Sequence, residues 1–122
     1  MCNFRLRKGR YGSMSERTLK EVCNAYGISR RAIQGYEKAG LVSATGKTKH
    51  GYLLYDDLSQ ERIKKIKLFQ DMGFSIKEIC EIIDSPPSVI RSSLEEQLIK
   101  LKEECKQKRE IIRITKEYIA KL

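Results

Sequence analysis

The C-terminal third of the chain is the feature that most constrains its fold. Residues 88–122 contain neither glycine nor proline, so they predict one uninterrupted helix about 52 Å long at 1.5 Å per residue. Its apolar positions recur at alternating steps of four and three, which is typical of a coiled coil. This apolar seam consists of Leu94, Leu98, Leu101, Cys105, Ile112, Ile119 and Leu122, with interruptions at Lys108 and Thr115.

A helix of this length cannot bury its seam against the small domain that precedes it. The seam therefore needs a second helix, and another copy of the same chain is the simplest source. We predict that residues 88–122 form a dimerisation helix, with Ser88 as its N-cap. Cys105 lies near the middle of the seam, where a thiol switch and a small apolar contact are both open interpretations.

Charge and size narrow the classes of function. The chain has 122 residues, with 25 Lys and Arg against 16 Asp and Glu, so its formal net charge is +9. That excess favours nucleic acid or another acidic partner. The sequence has no long apolar run and no secretory signal, so it predicts neither a membrane span nor export. The four cysteines are widely spaced, which disfavours a zinc site or a disulfide framework and indicates a reducing compartment.

The N-terminal residues 1–15 have no apolar periodicity, and we predict that they form a flexible basic arm. Their basic side chains are Arg5, Arg7, Lys8 and Arg10. Met14 is a plausible start residue, which leaves open whether residues 1–13 are native.

Residues 16–84 are predicted to form a helix-turn-helix domain. Thr18 and Glu21 have the spacing of a capping box, and Gly27 is placed to end the helix that they begin. Ser29 then caps a second helix, and the short turn between the two helices is typical of a helix-turn-helix. The inward positions of the second helix are Ala32, Ile33 and Tyr36.

The rest of this domain predicts a wing and two further helices. Residues 41–55 contain two glycines and a strand-like run, which favours a two-stranded wing. Asp56 is placed to cap a third helix, and Ser75 with Glu78 forms a second capping box. We expect Cys23 and Cys80 to lie in the core. The predicted fold is all-α, with a winged helix-turn-helix domain followed by the long helix.

Several short motifs follow one another in a specific order and spacing. They are Thr18-Leu19-Lys20-Glu21-Val22, Gly27-Ile28-Ser29, Tyr36-Glu37-Lys38-Ala39-Gly40-Leu41, Gly51-Tyr52, Leu54-Tyr55 and Gly73-Phe74-Ser75-Ile76-Lys77-Glu78-Ile79. With the long helix that follows them, these motifs resemble the MerR family of bacterial transcription regulators, and the resemblance covers residues 18–122. The resemblance implies a cytoplasmic homodimer whose long helices pair antiparallel and which binds an inverted repeat in promoter DNA. It also implies distortion of the promoter spacer so that RNA polymerase can engage, while repression by occupancy stays open.

The sequence departs from the family's pattern at positions that matter for DNA. Members usually carry an arginine and an aromatic residue where Gln34 and Gly35 stand, and an arginine where Leu53 stands. Ser43 and Ala44 replace common prolines. An alternative is therefore a protein-binding adaptor that has the same fold but has lost specific DNA binding.

Basic and amide side chains on the second helix and the wing are the candidates for DNA contact. Arginine pairs with guanine and glutamine with adenine, whereas lysines on a turn suit phosphates. Tyr36 is either such a contact or a core residue. The resemblance adds Tyr52 and Lys67. The predicted DNA-binding set is Thr18, Arg30, Arg31, Gln34, Tyr36, Lys47, Lys49, His50, Tyr52 and Lys67.

No catalytic or metal-ligating set is evident in the sequence. The only histidine, His50, is predicted at the wing tip, which is poor material for acid-base chemistry. We predict that the protein is not an enzyme and has no cofactor or metal. The chain stops at Leu122, where the dimerisation helix is expected to end. Three interpretations are open: the effector site is minimal, the regulator responds to protein partners or to its own abundance, or the chain is truncated. The effector is unknown.

Overall fold

The computed structural model describes residues 16–122, so the predicted basic arm at residues 1–15 lies outside the described residues. The chain divides into two compact units, with the boundary between Asp84 and Ser85. The first unit contains β1 (Arg17–Thr18), α1 (Leu19–Tyr26), α2 (Arg30–Lys38), β2 (Gly46–Lys47), β3 (Leu53–Tyr55), α3 (Asp57–Asp71) and α4 (Ile76–Ile82). The second unit is α5 (Pro87–Lys121).

Local capping fixes where the helices of the first unit begin. Thr18 and Glu21 form the predicted capping box on α1, and Ser75 with Glu78 forms the second one on α4. Asp56 accepts a hydrogen bond from the Ser59 amide at 3.0 Å and so caps α3. The predictions of these three helix starts are confirmed, because side-chain acceptors satisfy amides that the helix itself cannot.

Gly27 ends α1 in the left-handed conformation, with φ of 64° and ψ of 37°. Residues with a Cβ rarely adopt these angles, so glycine is the natural residue there. The chain then turns into α2 within three residues, which gives the predicted helix-turn-helix. Ile28 in the turn is buried, at 4% exposure.

A small sheet lies beside these helices and has one strand more than predicted. Its order is β1-β3-β2, with both neighbours antiparallel to β3. The hairpin of β2 and β3 is the predicted wing, which we define as residues 46–55. Arg17 pairs with Tyr55 in the added strand. A strand of two residues is too short for its periodicity to be recognised in the sequence, and its partner strand β3 is distant along the chain.

The core of the first unit is apolar and contains residues from every helix of that unit. The fully buried large side chains are Val22, Ile33, Tyr36, Tyr55, Ile63, Ile66, Ile79 and Ile83. Burial of this apolar surface is the main stabilising contribution to such a domain. It holds α2 in place and so fixes which of its side chains face outward.

Two expectations about local structure were wrong. α5 begins at Pro87 with Pro86 as its N-cap, not at Ser88, because proline at the first helical position has no amide to satisfy. Cys80 is exposed and Cys23 only half-buried, so Cys80 is not a core residue. α4 has seven residues, and the face that carries Ile79 is the buried one.

The second unit is a helix without a buried residue among its 35 positions. Seam residues are widely exposed, with Leu98 at 51%, Ile112 at 53% and Ile119 at 62%. A stripe of large apolar side chains in water is unusual for a folded protein and marks an interaction surface. No helix in residues 16–122 is long and apolar enough to cross a membrane.

Candidate nucleic-acid interface

The outward face of α2 presents three polar side chains that can reach base edges. Ser29 accepts from the Ala32 amide at 3.0 Å, which fixes the start of the helix. Ile33 and Tyr36 are buried on the inner face, at 0% and 1% exposure. The opposite face carries the predicted contacts Arg30, Arg31 and Gln34, all exposed.

Lys38 belongs to the same exposed face and was missed by the sequence analysis. It lies four residues after Gln34, one helical turn further along α2. That spacing places the two side chains on the same side of a helix, so the spacing itself could have identified it. Lys38 extends the basic character of α2 to its C-terminal end.

Tyr36 lies in the core and not on the interface. Its hydroxyl donates a hydrogen bond to Oε1 of Gln70 at 2.6 Å. Burial raises the pKa of this phenol, and the nearby Lys67 opposes that rise in pKa. The hydroxyl is already used within the domain, so this geometry favours the core interpretation and removes Tyr36 from our set of DNA contacts.

The wing tip carries the second group of predicted contacts. Lys47, Lys49 and His50 are exposed, and Tyr52 is 65% exposed. The hydroxyl of Thr48 accepts from the amides of His50 at 3.2 Å and Tyr52 at 3.1 Å, which shapes the turn. A turn held by its own hydrogen bonds presents these donors in a fixed position, and lysines there suit phosphate contact.

Thr18 and Lys67 both have partners within the protein. The Thr18 hydroxyl accepts from the Glu21 amide at 3.3 Å, so its first role is to cap α1. Lys67 donates to Oδ1 of Asp71 at 2.7 Å, and this carboxylate raises the pKa of the lysine. The pair is exposed, so Lys67 can exchange the carboxylate for a phosphate at small cost.

A hydrogen bond connects α2, the predicted recognition helix, to the wing, and no sequence pattern indicates it. The buried Tyr55 hydroxyl of β3 donates to Oε2 of Glu37 on α2 at 2.5 Å. Burial is the main reason that the pKa of Tyr55 is raised, with the acceptor Glu37 adding to it. This contact fixes the position of the wing relative to α2, so the two groups of predicted DNA contacts are held in one rigid arrangement.

Gln60 is a second connecting residue that sequence patterning did not reveal. It is buried, and its Oε1 accepts from Arg17 at 2.9 Å and from the Tyr26 hydroxyl at 2.7 Å. Its Nε2 donates to the backbone carbonyl of Tyr55 at 2.7 Å. One amide thereby joins β1, α1, β3 and α3. The sequence around a helical glutamine does not indicate whether its side chain is buried and connects several elements or lies on the surface.

Metal binding is not indicated by this geometry. Within residues 16–122, no group of three or more His, Cys, Asp or Glu side chains is placed to hold a metal ion. The predicted contacts on α2 and at the wing tip are donors of hydrogen bonds to anions and bases. Their chemistry suits nucleic acid.

Comparison with known proteins agrees with this geometry. The family model described as "MerR HTH family regulatory protein" matches residues 17–86. The HTH-type transcriptional activator mta of Bacillus subtilis is 33% identical over 79 residues, which cover 65% of this chain and 31% of that protein. The chain thus spans about a third of the length of that relative.

Two solved structures share the fold. The N-terminus of MtaN, the Bacillus subtilis multidrug transporter activator, has a TM-score of 0.71 and 28% identity, over 84% of this chain and 97% of that one. HiNmlR, a MerR family regulator lacking the sensor domain and solved bound to promoter DNA, has a TM-score of 0.62 and 21% identity. That match covers 87% of this chain and 89% of HiNmlR.

Proposed function

The chain belongs to the MerR family of helix-turn-helix regulatory proteins, and on that premise we propose that it is a transcriptional regulator that binds promoter DNA as a homodimer. The observation that carries the proposal is the outward face of α2, where Arg30, Arg31 and Gln34 stand exposed above a buried apolar face. Arginine can donate two hydrogen bonds to guanine, and glutamine can pair with adenine. These side chains read the base sequence in the major groove.

The wing supplies affinity and register. Lys47, Lys49 and His50 are exposed at its tip and contact phosphates, which carry no sequence information themselves. Tyr52 and Lys67 add contacts to the DNA backbone. Thr18, at the start of α1, contacts a DNA phosphate. The bond between Tyr55 and Glu37 keeps wing and recognition helix in register during binding.

The homodimer forms through the seam of α5, in the antiparallel arrangement. Two copies bring two recognition helices to one duplex, and their two-fold symmetry calls for an inverted repeat. Holding both half-sites distorts the spacer between promoter elements, so that RNA polymerase engages without contacting the regulator extensively. Occupying the same site without this distortion would repress the promoter.

The protein works by binding and not by catalysis, in the cytoplasm of a bacterium, where promoter DNA is found. The adaptor alternative is less favoured, because a protein that had lost specific DNA binding would have no need for two arginines and a glutamine on the exposed face of α2. The arginines absent at Gln34 and Leu53 then alter which operator is read and do not abolish reading.

In vitro selection from random duplex DNA, with the full chain at near-physiological salt, tests the proposal. We expect enrichment of one inverted repeat. The matched control is a selection with a triple variant in which Arg30, Arg31 and Gln34 are replaced by alanine, which should still bind duplex weakly but enrich nothing. A folded wild-type chain that enriches no sequence would contradict sequence-specific binding and return attention to the adaptor.

A further inference from the structure

A row of basic side chains runs along α5 beside the apolar seam. Its members follow at alternating steps of four and three, which at 3.6 residues per turn keeps them within an arc of about 80°. We call this row the basic stripe, and it consists of Lys102, Lys106, Arg109, Arg113 and Lys116. All five are exposed. From Lys102 to Lys116 the stripe is about 21 Å long at 1.5 Å per residue.

Most of the basic stripe is not neutralised within its own helix. Among the described residues, Arg113 is the one member in an ion pair, with Glu110 and Glu117. The residues three and four positions from Lys102, Arg109 and Lys116 are apolar or basic, so no carboxylate of α5 is suitably placed for them. Neighbours within the stripe are like charges on adjacent turns, which destabilises a helix.

The acidic residues of α5 are Glu95, Glu96, Glu103, Glu104, Glu110 and Glu117. Three of them, Glu103, Glu110 and Glu117, lie one helical turn from Lys106 or Arg113, whereas none lies three or four residues from Lys102, Arg109 or Lys116. An ordinary solvated helix mixes its charges so that opposite signs meet at neighbouring turns. Here Lys102, Arg109 and Lys116 have no such neighbour of opposite sign, and they form an unneutralised positive row beside the apolar seam.

We propose that the basic stripe is a docking surface for an acidic helix of a partner protein. Lys102, Arg109 and Lys116 repeat every seven residues, or about 10.5 Å, which matches carboxylates at heptad spacing on a second helix. The phosphates of a duplex strand recur every 3.4 Å along the axis and wind around it, so a straight row meets few of them.

This surface is separate from the DNA contacts of the first unit and goes beyond the proposed function. When two seams pair, the stripe of each copy lies at the flank of the coiled coil and stays at the surface. The partner recognised there is a protein segment whose glutamates and aspartates follow the same steps of four and three. A regulator with such a surface can hold a second protein at the site that it occupies on DNA.

The test titrates the full chain against two labelled helical peptides of identical composition. One carries glutamates at steps of four and three on one face, and the other has the same glutamates spread around the helix. Fluorescence anisotropy at near-physiological salt should show the first peptide bound about tenfold more tightly, because only it aligns several charge pairs at once. Equal affinity for the two peptides would overturn the proposal, since it would mean attraction by net charge alone.

Matched variants locate the binding. K102Q/K116Q removes two stripe charges, and K100Q/K121Q removes two charges of the same helix that lie off the stripe. All four side chains are exposed, so circular dichroism should show both proteins folded. We expect the first variant to lose about tenfold in peptide affinity and the second to match the wild type.

Binding to the selected operator should be unchanged in both variants, which separates this proposal from the proposed function. Two further outcomes would overturn it. If K102Q/K116Q weakens binding to duplex lacking the operator as much as it weakens peptide binding, the stripe serves DNA. If wild-type chains associate beyond dimers and K102Q/K116Q abolishes this association, the acidic face of another copy is the occupant.

Discussion

At the scale of single residues, two tyrosines from the same region have opposite environments. Tyr36 is 1% exposed and donates to Gln70, whereas Tyr52 is 65% exposed at the wing tip. Both lie in motifs that carry the resemblance to the MerR family. The sequence motif and the residue type alone do not show which tyrosine is buried. Tyr36 is buried because α3 packs against it and supplies Gln70 as a hydrogen-bond acceptor, and this contact depends on the tertiary structure.

Tyr36→Phe distinguishes the two roles weighed for this residue. Removing the hydroxyl leaves Oε1 of Gln70 without this donor, so the free energy of unfolding should fall by about 0.5–1.5 kcal/mol. Urea denaturation measures that loss. DNA affinity of the folded variant should stay that of the wild type. A stable variant with weakened DNA binding would show that the hydroxyl contacts phosphate after all.

Arg31→Ala and Lys49→Ala compare base reading with phosphate contact. Loss of Arg31 should cost about 1–3 kcal/mol of specific binding and relax the preference at one base position. Loss of Lys49 should weaken operator and random duplex alike and reduce the salt dependence of binding. Anisotropy with operator and scrambled duplexes measures both. Equal effects of the two variants on scrambled DNA would contradict this division of roles.

Asp84 provides a pH-dependent contribution to stability. Arg62 donates to both of its carboxylate oxygens, at 2.5 and 2.8 Å, and this hydrogen bonding lowers the pKa of Asp84 below its ordinary 3.8. A carboxyl whose pKa is lower in the folded state stabilises the fold above its unfolded pKa, and the stabilisation is lost as pH falls through the folded pKa.

Asp84→Asn should therefore destabilise the protein at neutral pH and not at strongly acidic pH. The Asp84 side chain is 59% exposed, so the expected loss at pH 7 is about 0.2–1 kcal/mol. Denaturation curves of the variant and wild type should converge below the folded pKa. A difference that stays constant across the acid range would mean that packing and not charge is responsible.

At the scale of elements, local chemistry was predictable and long-range pairing was not. Both capping boxes, the Asp56 cap and the long helix follow from residues a few positions apart. The strand β1 was not predicted because its partner is distant in the sequence: Arg17 pairs with Tyr55, and α1 and α2 lie between them along the chain. Helical periodicity was sufficient to predict which residues of the candidate nucleic-acid interface are exposed. It could not predict the contacts of Gln60 and Glu37, which connect the elements that carry those residues.

Leu98→Lys tests the seam of α5. A charge within an apolar interface between helices should prevent pairing, so sedimentation should show monomers. The matched control is Gln107→Lys, which adds the same charge at an exposed position off the seam. We expect it to remain dimeric. A dimer that survives Leu98→Lys would place the interface elsewhere.

At the scale of the whole molecule, function depends on two units with different tasks. The first unit carries the proposed base-reading and phosphate contacts, and the second is an exposed helix whose apolar seam we propose to pair with a second copy. The net charge of +9 supports fast association with DNA but selects no sequence. In this proposal, sequence preference comes from α2 and the symmetry of the site comes from α5.

Two copies of the chain together should read one inverted repeat. The most direct measurement is the mass and affinity of the complex with the selected duplex, compared with a duplex in which one half-site is scrambled. We predict two chains on each intact duplex and a large loss of affinity when either half-site is scrambled. One chain per duplex, or equal affinity for intact and scrambled DNA, would contradict the account.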